Sequence, residues 1–113
     1  QSNVLWLAKG TPRAWLENGQ QIVVEGAPTR QGRISFSVRS CLEESRVETD
    51  VQLPAAGINA PIKLRLRVPE GCTLKSARVN GRDWSDFDPQ EETVTLKPGA
   101  AGKVRIEAFY QKH

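Results

Sequence analysis

Apolar and polar side chains alternate one by one along most of the chain after position 20. In the segment 62–68 every even position is Ile, Leu or Val and every odd position is Lys or Arg. Segment 33–39 alternates in a similar way, with Ile34, Phe36 and Val38 at the even positions and Arg or Ser at the odd ones. Successive side chains of a strand point to opposite faces of a sheet, so this pattern predicts strands with one buried face. The predicted strands are 21–25, 33–39, 46–53, 62–68, 75–79, 82–84, 93–96 and 102–110.

Two short sequence motifs predict a turn and a helix in addition to these strands. Asn80-Gly81 separates two strands, and the pair predicts a tight hairpin because a type I′ turn needs positive φ at both central residues. Near the start, Thr11-Pro12 supplies a capping residue and a residue suited to the first helical position, while Gly19 suits the end of a helix. We therefore expect a hairpin at 80–81 and one short helix over 13–18.

The predicted elements define the fold class. Seven or eight short strands with one apolar face each have two stable arrangements, a two-sheet sandwich or a closed barrel. We favour an all-β fold, a two-sheet antiparallel β-sandwich of immunoglobulin-like or jelly-roll-like type with one short N-terminal helix. Because the chain has 113 residues and neither a linker nor an internal repeat, we expect residues 1–113 to form a single domain.

The composition limits which catalytic sites, metal sites and partners are expected. The only histidine is His113, so Ser-His-Asp triads, Cys-His dyads and histidine-based zinc sites are not expected. The net charge of +3 is mild for a nucleic-acid-binding protein, and no apolar run approaches the roughly 20 residues that cross a bilayer. We expect no catalytic residue, no cofactor, no nucleic-acid partner and no membrane segment in this chain.

The two cysteines give little further constraint. Cys41 and Cys72 are 31 positions apart, which fits neither a CxxC motif nor a zinc cluster. One disulfide or two separate thiols are both open, and we favour separate thiols because a single pair gives no framework pattern. Methionine is absent, including from position 1, which we interpret as a sign of a processed chain or of a fragment of a larger protein.

A strip of basic residues lies on one predicted strand. Lys63, Arg65 and Arg67, here called the basic strip, project from the same face at intervals of about 7 Å. Such a strip suits an acidic polymer or a glycan, but the usual interpretation is a solvated face neutralised by acidic residues of neighbouring strands. The expected neutralising residues are Glu48, Asp50 and Glu107.

The three tryptophans are candidates for a sugar-stacking surface. A flat indole can stack on the apolar face of a sugar ring, although indoles more often bury their large area in the core. We expect Trp15 to anchor the short helix on the sandwich. Trp84, flanked by Asp83 and Asp86, is the best candidate for exposure among Trp6, Trp15 and Trp84. Trp84 and the basic strip together form the predicted carbohydrate-binding surface.

An acidic loop follows the hairpin. Asp83, Asp86 and Asp88 lie close together in the sequence, with Glu91 and Glu92 nearby. Two roles compete with simple solvation of these carboxylates, a weak calcium site and an acid/base pair for glycoside cleavage. The loop lacks the glycine and the regular ligand alternation of an EF-hand, and nothing in the sequence supplies a deep cleft.

Seven segments of the sequence indicate a protein family more specifically than the alternation of apolar and polar residues does. The segments are 12–19 (PRAWLENG), 27–33 (APTRQGR), 62–71 (IKLRLRVPEG), 77–82 (ARVNGR), 87–89 (FDP), 93–96 (TVTL) and 102–107 (GKVRIE). They resemble the C-terminal β-sandwich of bacterial glycoside hydrolases built on (α/α)6 barrels, such as β-L-arabinofuranosidase-like proteins. In that group an L-R-(I/V)-P run leads into a V-N-G hairpin.

The resemblance implies an accessory role. It suggests a non-catalytic domain that packs against or orients a catalytic glycoside hydrolase domain in a secreted or periplasmic bacterial enzyme. The catalytic carboxylates of such enzymes belong to the barrel, so the resemblance assigns no catalytic residue here. Two alternatives stay open: a carbohydrate-binding module that holds polysaccharide with Trp84 and the basic strip, and an immunoglobulin-like protein-interaction domain.

Overall fold

The computed structural model describes residues 4–8, 16–17, 19–29, 32–69 and 71–112. Within these ranges the chain forms ten β-strands and one short 3-10 helix, Leu42–Glu44. The strands are β1 (Leu5–Leu7), β2 (Gln21–Thr29), β3 (Gly32–Cys41), β4 (Arg46–Ile58), β5 (Ile62–Arg65), β6 (Cys72–Val79), β7 (Arg82–Trp84), β8 (Phe87–Asp88), β9 (Thr93–Leu96) and β10 (Ala100–Lys112).

The strands build two sheets that share one core. The smaller sheet has the order β1-β5-β9-β8, and the larger sheet has the order β2-β3-β4-β10-β6-β7. Every pair is antiparallel except β1 with β5, which is parallel. The prediction of an all-β, two-sheet sandwich is confirmed. No helix among the described residues is long and apolar enough to cross a membrane.

The core lies where the two apolar faces meet. Ile62 and Leu64 of β5 are fully buried beside Val94 of β9, and the larger sheet supplies the other wall. Every second residue of its central strands points inward. The buried residues of that wall include Ile34, Phe36 and Val38 of β3, Val47, Thr49, Val51 and Leu53 of β4, and Val104, Ile106, Ala108 and Tyr110 of β10. The alternation therefore predicted correctly which side chains of these strands face the core.

The hairpin at Asn80-Gly81 is also confirmed. The two residues have φ of 52° and 80°, and Val79 pairs with Arg82 across the turn. The Asn80 side chain accepts a hydrogen bond from the backbone N–H of Arg105 at 2.8 Å. The turn is thus tied to β10, which crosses the middle of the larger sheet.

One predicted strand ends earlier than expected. The segment 62–68 was predicted as one strand, but β5 stops at Arg65 because its partner β9 begins at Thr93. The residue before Thr93, Glu92, has a φ of 59° and turns the partner chain away. Its carbonyl and carboxylate instead accept the N–H groups of Leu66 at 2.8 Å and Val68 at 3.3 Å. Leu66 and Val68 therefore keep their inward orientation although they belong to no β-strand.

Other predicted bounds also differ from the structure. The prediction placed no strand at β1 or β8, and it ended the strand that begins at Arg46 at Leu53 rather than Ile58. The predicted helix over 13–18 and Trp15 lie outside the described residues, apart from Leu16 and Glu17. Leu16 is fully buried, and its carbonyl accepts a 2.7 Å hydrogen bond from the buried Ser40 hydroxyl.

Candidate functional site

The basic strip lies on the outer face of the smaller sheet. Lys63 and Arg65 project from β5, whereas Arg67 follows the end of that strand. Across the ladder, Lys63 stands between Trp6 of β1 and Thr95 of β9. The Lys63 ammonium lies 5.5 Å from the centre of the Trp6 ring, a distance at which a cation is attracted by the indole face. Sequence reasoning did not predict this pairing, because the pairing depends on the parallel register of β1.

The strip is less exposed than predicted. All three basic side chains are half-buried, and the Nε of Arg65 is buried without a hydrogen-bond partner in the described part of the chain. The acidic neighbours expected from the sequence, Glu48, Asp50 and Glu107, all belong to the larger sheet. That expectation was wrong because strand order places β9, and not β4 or β10, beside β5.

Trp84 lies where the two sheets meet. It occupies β7, opposite the buried Ala77 of β6, and is half-buried against the core. Its indole N–H donates a 2.7 Å hydrogen bond to the carbonyl of Thr95 in the smaller sheet. The contact joins the edge of the larger sheet to β9. A tryptophan in this position contributes packing area and a fixed hydrogen bond, while carbohydrate binding by Trp84 stays a prediction.

The acidic loop is spread along the surface. Asp83 forms a 3.4 Å ion pair with Arg78, and one oxygen of Asp88 accepts the backbone N–H groups of Gln90 and Glu91 at 2.9 and 3.3 Å. The carbonyl of Asp86 accepts the N–H of Thr95. Among the described residues no three His, Cys, Asp or Glu side chains are grouped as metal ligands. Calcium binding by these aspartates stays a prediction from the sequence.

The two cysteines are separate thiols. Cys41 ends β3 and Cys72 begins β6, and both are free and half-buried.

The outer face of the larger sheet carries a continuous set of ion pairs. Glu44, Arg46, Glu48, Arg105 and Asp50 form what we call the charge ladder, with N···O distances of 2.6, 2.8, 2.9 and 3.4 Å from one end to the other. Glu48 stands in the middle, with only 11% of its side chain exposed. The hydrogen bond from Arg46 holds the pKa of Glu48 below its ordinary value, and the nearby guanidinium of Arg105 acts in the same direction.

Next to the charge ladder, a groove of about 570 Å³ crosses β2, β3, β4 and β10. The register of these four strands places residues of the groove side by side. Val23 lies opposite Ser37, Ser37 opposite Asp50, and Asp50 opposite Arg105. The lining side chains used below are Val23, Glu25, Asp50, Gln52, Lys103 and Arg105. We refer to this site as the outer groove.

A β-bulge shapes one wall of the outer groove. Val24 pairs with Phe36 and Ala27 with Ile34, so Glu25 and Gly26 together oppose the single residue Ser35. Gly26 has a φ of 64°, and its N–H donates to the Ser35 hydroxyl at 2.9 Å. The extra residue bends β2. Sequence reasoning missed the groove because its walls come from four strands whose order the sequence does not reveal.

Comparisons with known proteins support the fold. No protein-family model matches the chain, and neither does any curated protein. Among solved structures, one entitled "Glycoside hydrolase" matches with a TM-score of 0.52 and 15% identity over 79% of this chain. The match covers 14% of that structure, so this chain corresponds to about one-seventh of its length. The similarity shows that the same sandwich fold occurs within a glycoside hydrolase chain.

Proposed function

We propose that this chain is a non-catalytic accessory β-sandwich domain of a larger carbohydrate-active enzyme. The observation that carries the proposal is the match to one-seventh of a glycoside hydrolase structure, because most of that chain lies outside the shared fold. The sequence resemblance favours a C-terminal domain that packs against or orients an (α/α)6 catalytic barrel. A secreted or periplasmic bacterial enzyme is the parent that this resemblance suggests.

The electrostatics of the larger sheet agree with a non-catalytic role. A glycosidase needs a carboxylic acid with a raised pKa beside a second carboxylate. The most enclosed carboxylate of the charge ladder, Glu48, has a lowered pKa because Arg46 and Arg105 hold its charged form. Asp50 is paired with Arg105 as well. The ion pairs of Glu48 and Asp50 therefore support a structural role for both carboxylates.

The proposal is tested on the parent enzyme. We expect the native polypeptide to be several times longer than 113 residues, which its intact mass measures. Removing this domain should lower the melting temperature and the soluble yield of the enzyme, whereas turnover of a small aryl glycoside by the folded remainder should stay within about twofold.

Two results would contradict the proposal. One is hydrolysis of aryl glycosides by the isolated chain, provided that a carboxylate substitution in the chain abolishes it. The other is a truncated enzyme with an unchanged melting temperature and soluble yield, because a domain that packs on its neighbour must contribute interface free energy.

A further inference from the structure

We propose that the outer groove binds a short stretch of a neutral glycan chain. The inference rests on the proposed accessory role in a carbohydrate-active enzyme and adds a ligand and a place for it. It also moves the carbohydrate-binding surface from the basic strip on the smaller sheet, and from Trp84 at the edge of the larger sheet, to the outer face of the larger sheet.

The size and position of the groove suit a polymer segment. Its volume of about 570 Å³ falls in the range of roughly 300 to 1,000 Å³ typical of small-molecule sites. It lies on the outer surface of a sheet, formed by four neighbouring strands, so it is a surface groove and not an enclosed cavity. An enclosed pocket would accept only a free sugar.

The charges of the lining favour a neutral ligand. Glu25 and Asp50 contribute two negative charges, and Lys103 and Arg105 contribute two positive charges, so the four side chains sum to zero. A site for an acidic polymer would have an excess of cations. Polar groups of both signs, together with the amide of Gln52, supply the donors and acceptors that sugar hydroxyls need.

The exposed apolar residue of the lining is Val23. It is 58% exposed, and among the described residues it is the only large apolar residue that is exposed. Set beside Ser37 and Glu25 at the groove wall, it offers a surface for the C–H face of a sugar ring. A valine covers much less area than an indole, so binding at one site will be weak and will gain from repeated contacts along a polymer.

One of the polar groups is held in place before any ligand arrives. Arg105 forms ion pairs with Glu48 and Asp50, and its backbone N–H donates to the Asn80 side chain. A group that is already ordered loses little conformational entropy on binding. Gln52 and Lys103 are exposed, and the Gln52 amide donates a long hydrogen bond of 3.4 Å to the carbonyl of Leu53.

The test is native gel electrophoresis of the full chain through gels that contain polysaccharide. The neutral probes are arabinan, arabinoxylan, galactomannan and mixed-linkage β-glucan, and the anionic probe is polygalacturonate. We expect at least one neutral probe to retard the chain. Gln52→Ala and Lys103→Ala should each weaken that retardation by about three- to tenfold, the effect of losing one hydrogen bond.

Matched controls identify the groove as the site. Lys97→Ala removes an exposed lysine that does not line the groove, and it should leave the retardation unchanged. Trp84→Phe keeps an aromatic ring at the junction of the sheets and should also bind as the unchanged chain does. Circular dichroism of each variant confirms that the fold is kept.

Three outcomes would overturn the inference: no retardation by any neutral probe, retardation by polygalacturonate alone, or retardation that Gln52→Ala and Lys103→Ala leave intact. None of them bears on the accessory role, which is judged by the melting temperature of the truncated parent enzyme. A groove that binds nothing and a domain that stabilises nothing are therefore separate results.

Discussion

The two outer faces of the sandwich are built from the same alternation but present different surfaces. On the smaller sheet, basic side chains are half-buried and Lys63 lies over an indole ring. On the larger sheet, acidic and basic side chains of β4 and β10 pair with one another beside an open groove. Lys63 of the first face contacts an aromatic ring, whereas Arg105 of the second face contacts carboxylates.

This difference shows that the contacts of a charged side chain depend on which strands lie beside its own strand. Lys63 and Arg105 both stand on the polar side of an alternating strand, yet one contacts Trp6 and the other contacts Glu48 and Asp50. Cross-strand pairs set the energy and charge of a sheet face. The function of either face therefore depends on strand order, and each prediction below probes one side of this contrast.

The largest effect is expected at the inner side of β5. Leu64 is fully buried, so Leu64→Ala leaves a cavity and should destabilise the fold by about 2–5 kcal/mol. Lys63→Ala, one residue away on the outer face, should cost less than about 1 kcal/mol. Urea unfolding measures both. Equal losses for the two variants would mean that this strand does not divide an inner from an outer face.

Trp84 is predicted to be structural. Trp84→Ala removes packing against the core and the hydrogen bond to Thr95, and should cost about 2–3 kcal/mol. Trp84→Phe keeps most of the packing and should cost about 1 kcal/mol. Thermal or urea unfolding gives these values. An unchanged stability of Trp84→Ala, combined with lost retention on polysaccharide, would instead identify Trp84 as the sugar-stacking residue.

Glu48 is predicted to stabilise the charge ladder in a pH-dependent way. Glu48→Gln removes its charged contacts with Arg46 and Arg105 and should cost about 1–2 kcal/mol at pH 7. Because folding lowers the pKa of Glu48 below its ordinary value of 4.5, its contribution is complete above that value and is lost as the pH falls through the folded-state pKa.

The pH dependence distinguishes charge from shape. Urea unfolding of the unchanged chain and of Glu48→Gln should differ at pH 7 and converge in acid. A difference that stays constant from pH 7 down to pH 3 would show that the carboxylate charge contributes nothing, and that Glu48→Gln acts through packing alone.

The smallest effect is expected in the outer groove. Lys103 is exposed and forms no ion pair within the described residues, so Lys103→Ala should change the free energy of unfolding by less than about 0.5 kcal/mol. Gln52→Ala should behave in the same way. Urea unfolding is again the measurement, and a loss above about 1 kcal/mol for either variant would assign these residues to the scaffold and remove them as free ligand contacts.

The sequence predicted the faces of the strands better than their neighbours. Ile62 and Leu64 point inward as expected, and Asn80-Gly81 forms the hairpin, because side-chain period and turn chemistry are local properties. The extension of β4 past Pro54 was missed because proline weakens a strand signal. This proline lies beyond the last β3 partner, Gln52, so no ladder hydrogen bond is required of it.

Candidate sites were harder to predict than strands. Glu25, Gln52 and Lys103 line one groove although they come from three distant parts of the chain, and only the order β2-β3-β4-β10 brings them together. The prediction that acidic residues of neighbouring strands neutralise the basic strip was wrong for the same reason. Pairing between distant strands is a global property that alternation does not specify.

We propose that ligand binds on the outer face of the larger sheet. The most direct measurement is two-dimensional amide NMR of the chain, titrated with a pooled mixture of neutral arabino-, xylo- and gluco-oligosaccharides at millimolar concentration. We predict saturable shifts at Val23, Asp50, Gln52 and Lys103, with the amides of β5 unmoved. Shifts centred on Lys63, Arg65 and Trp84, with the groove unchanged, would contradict the claim.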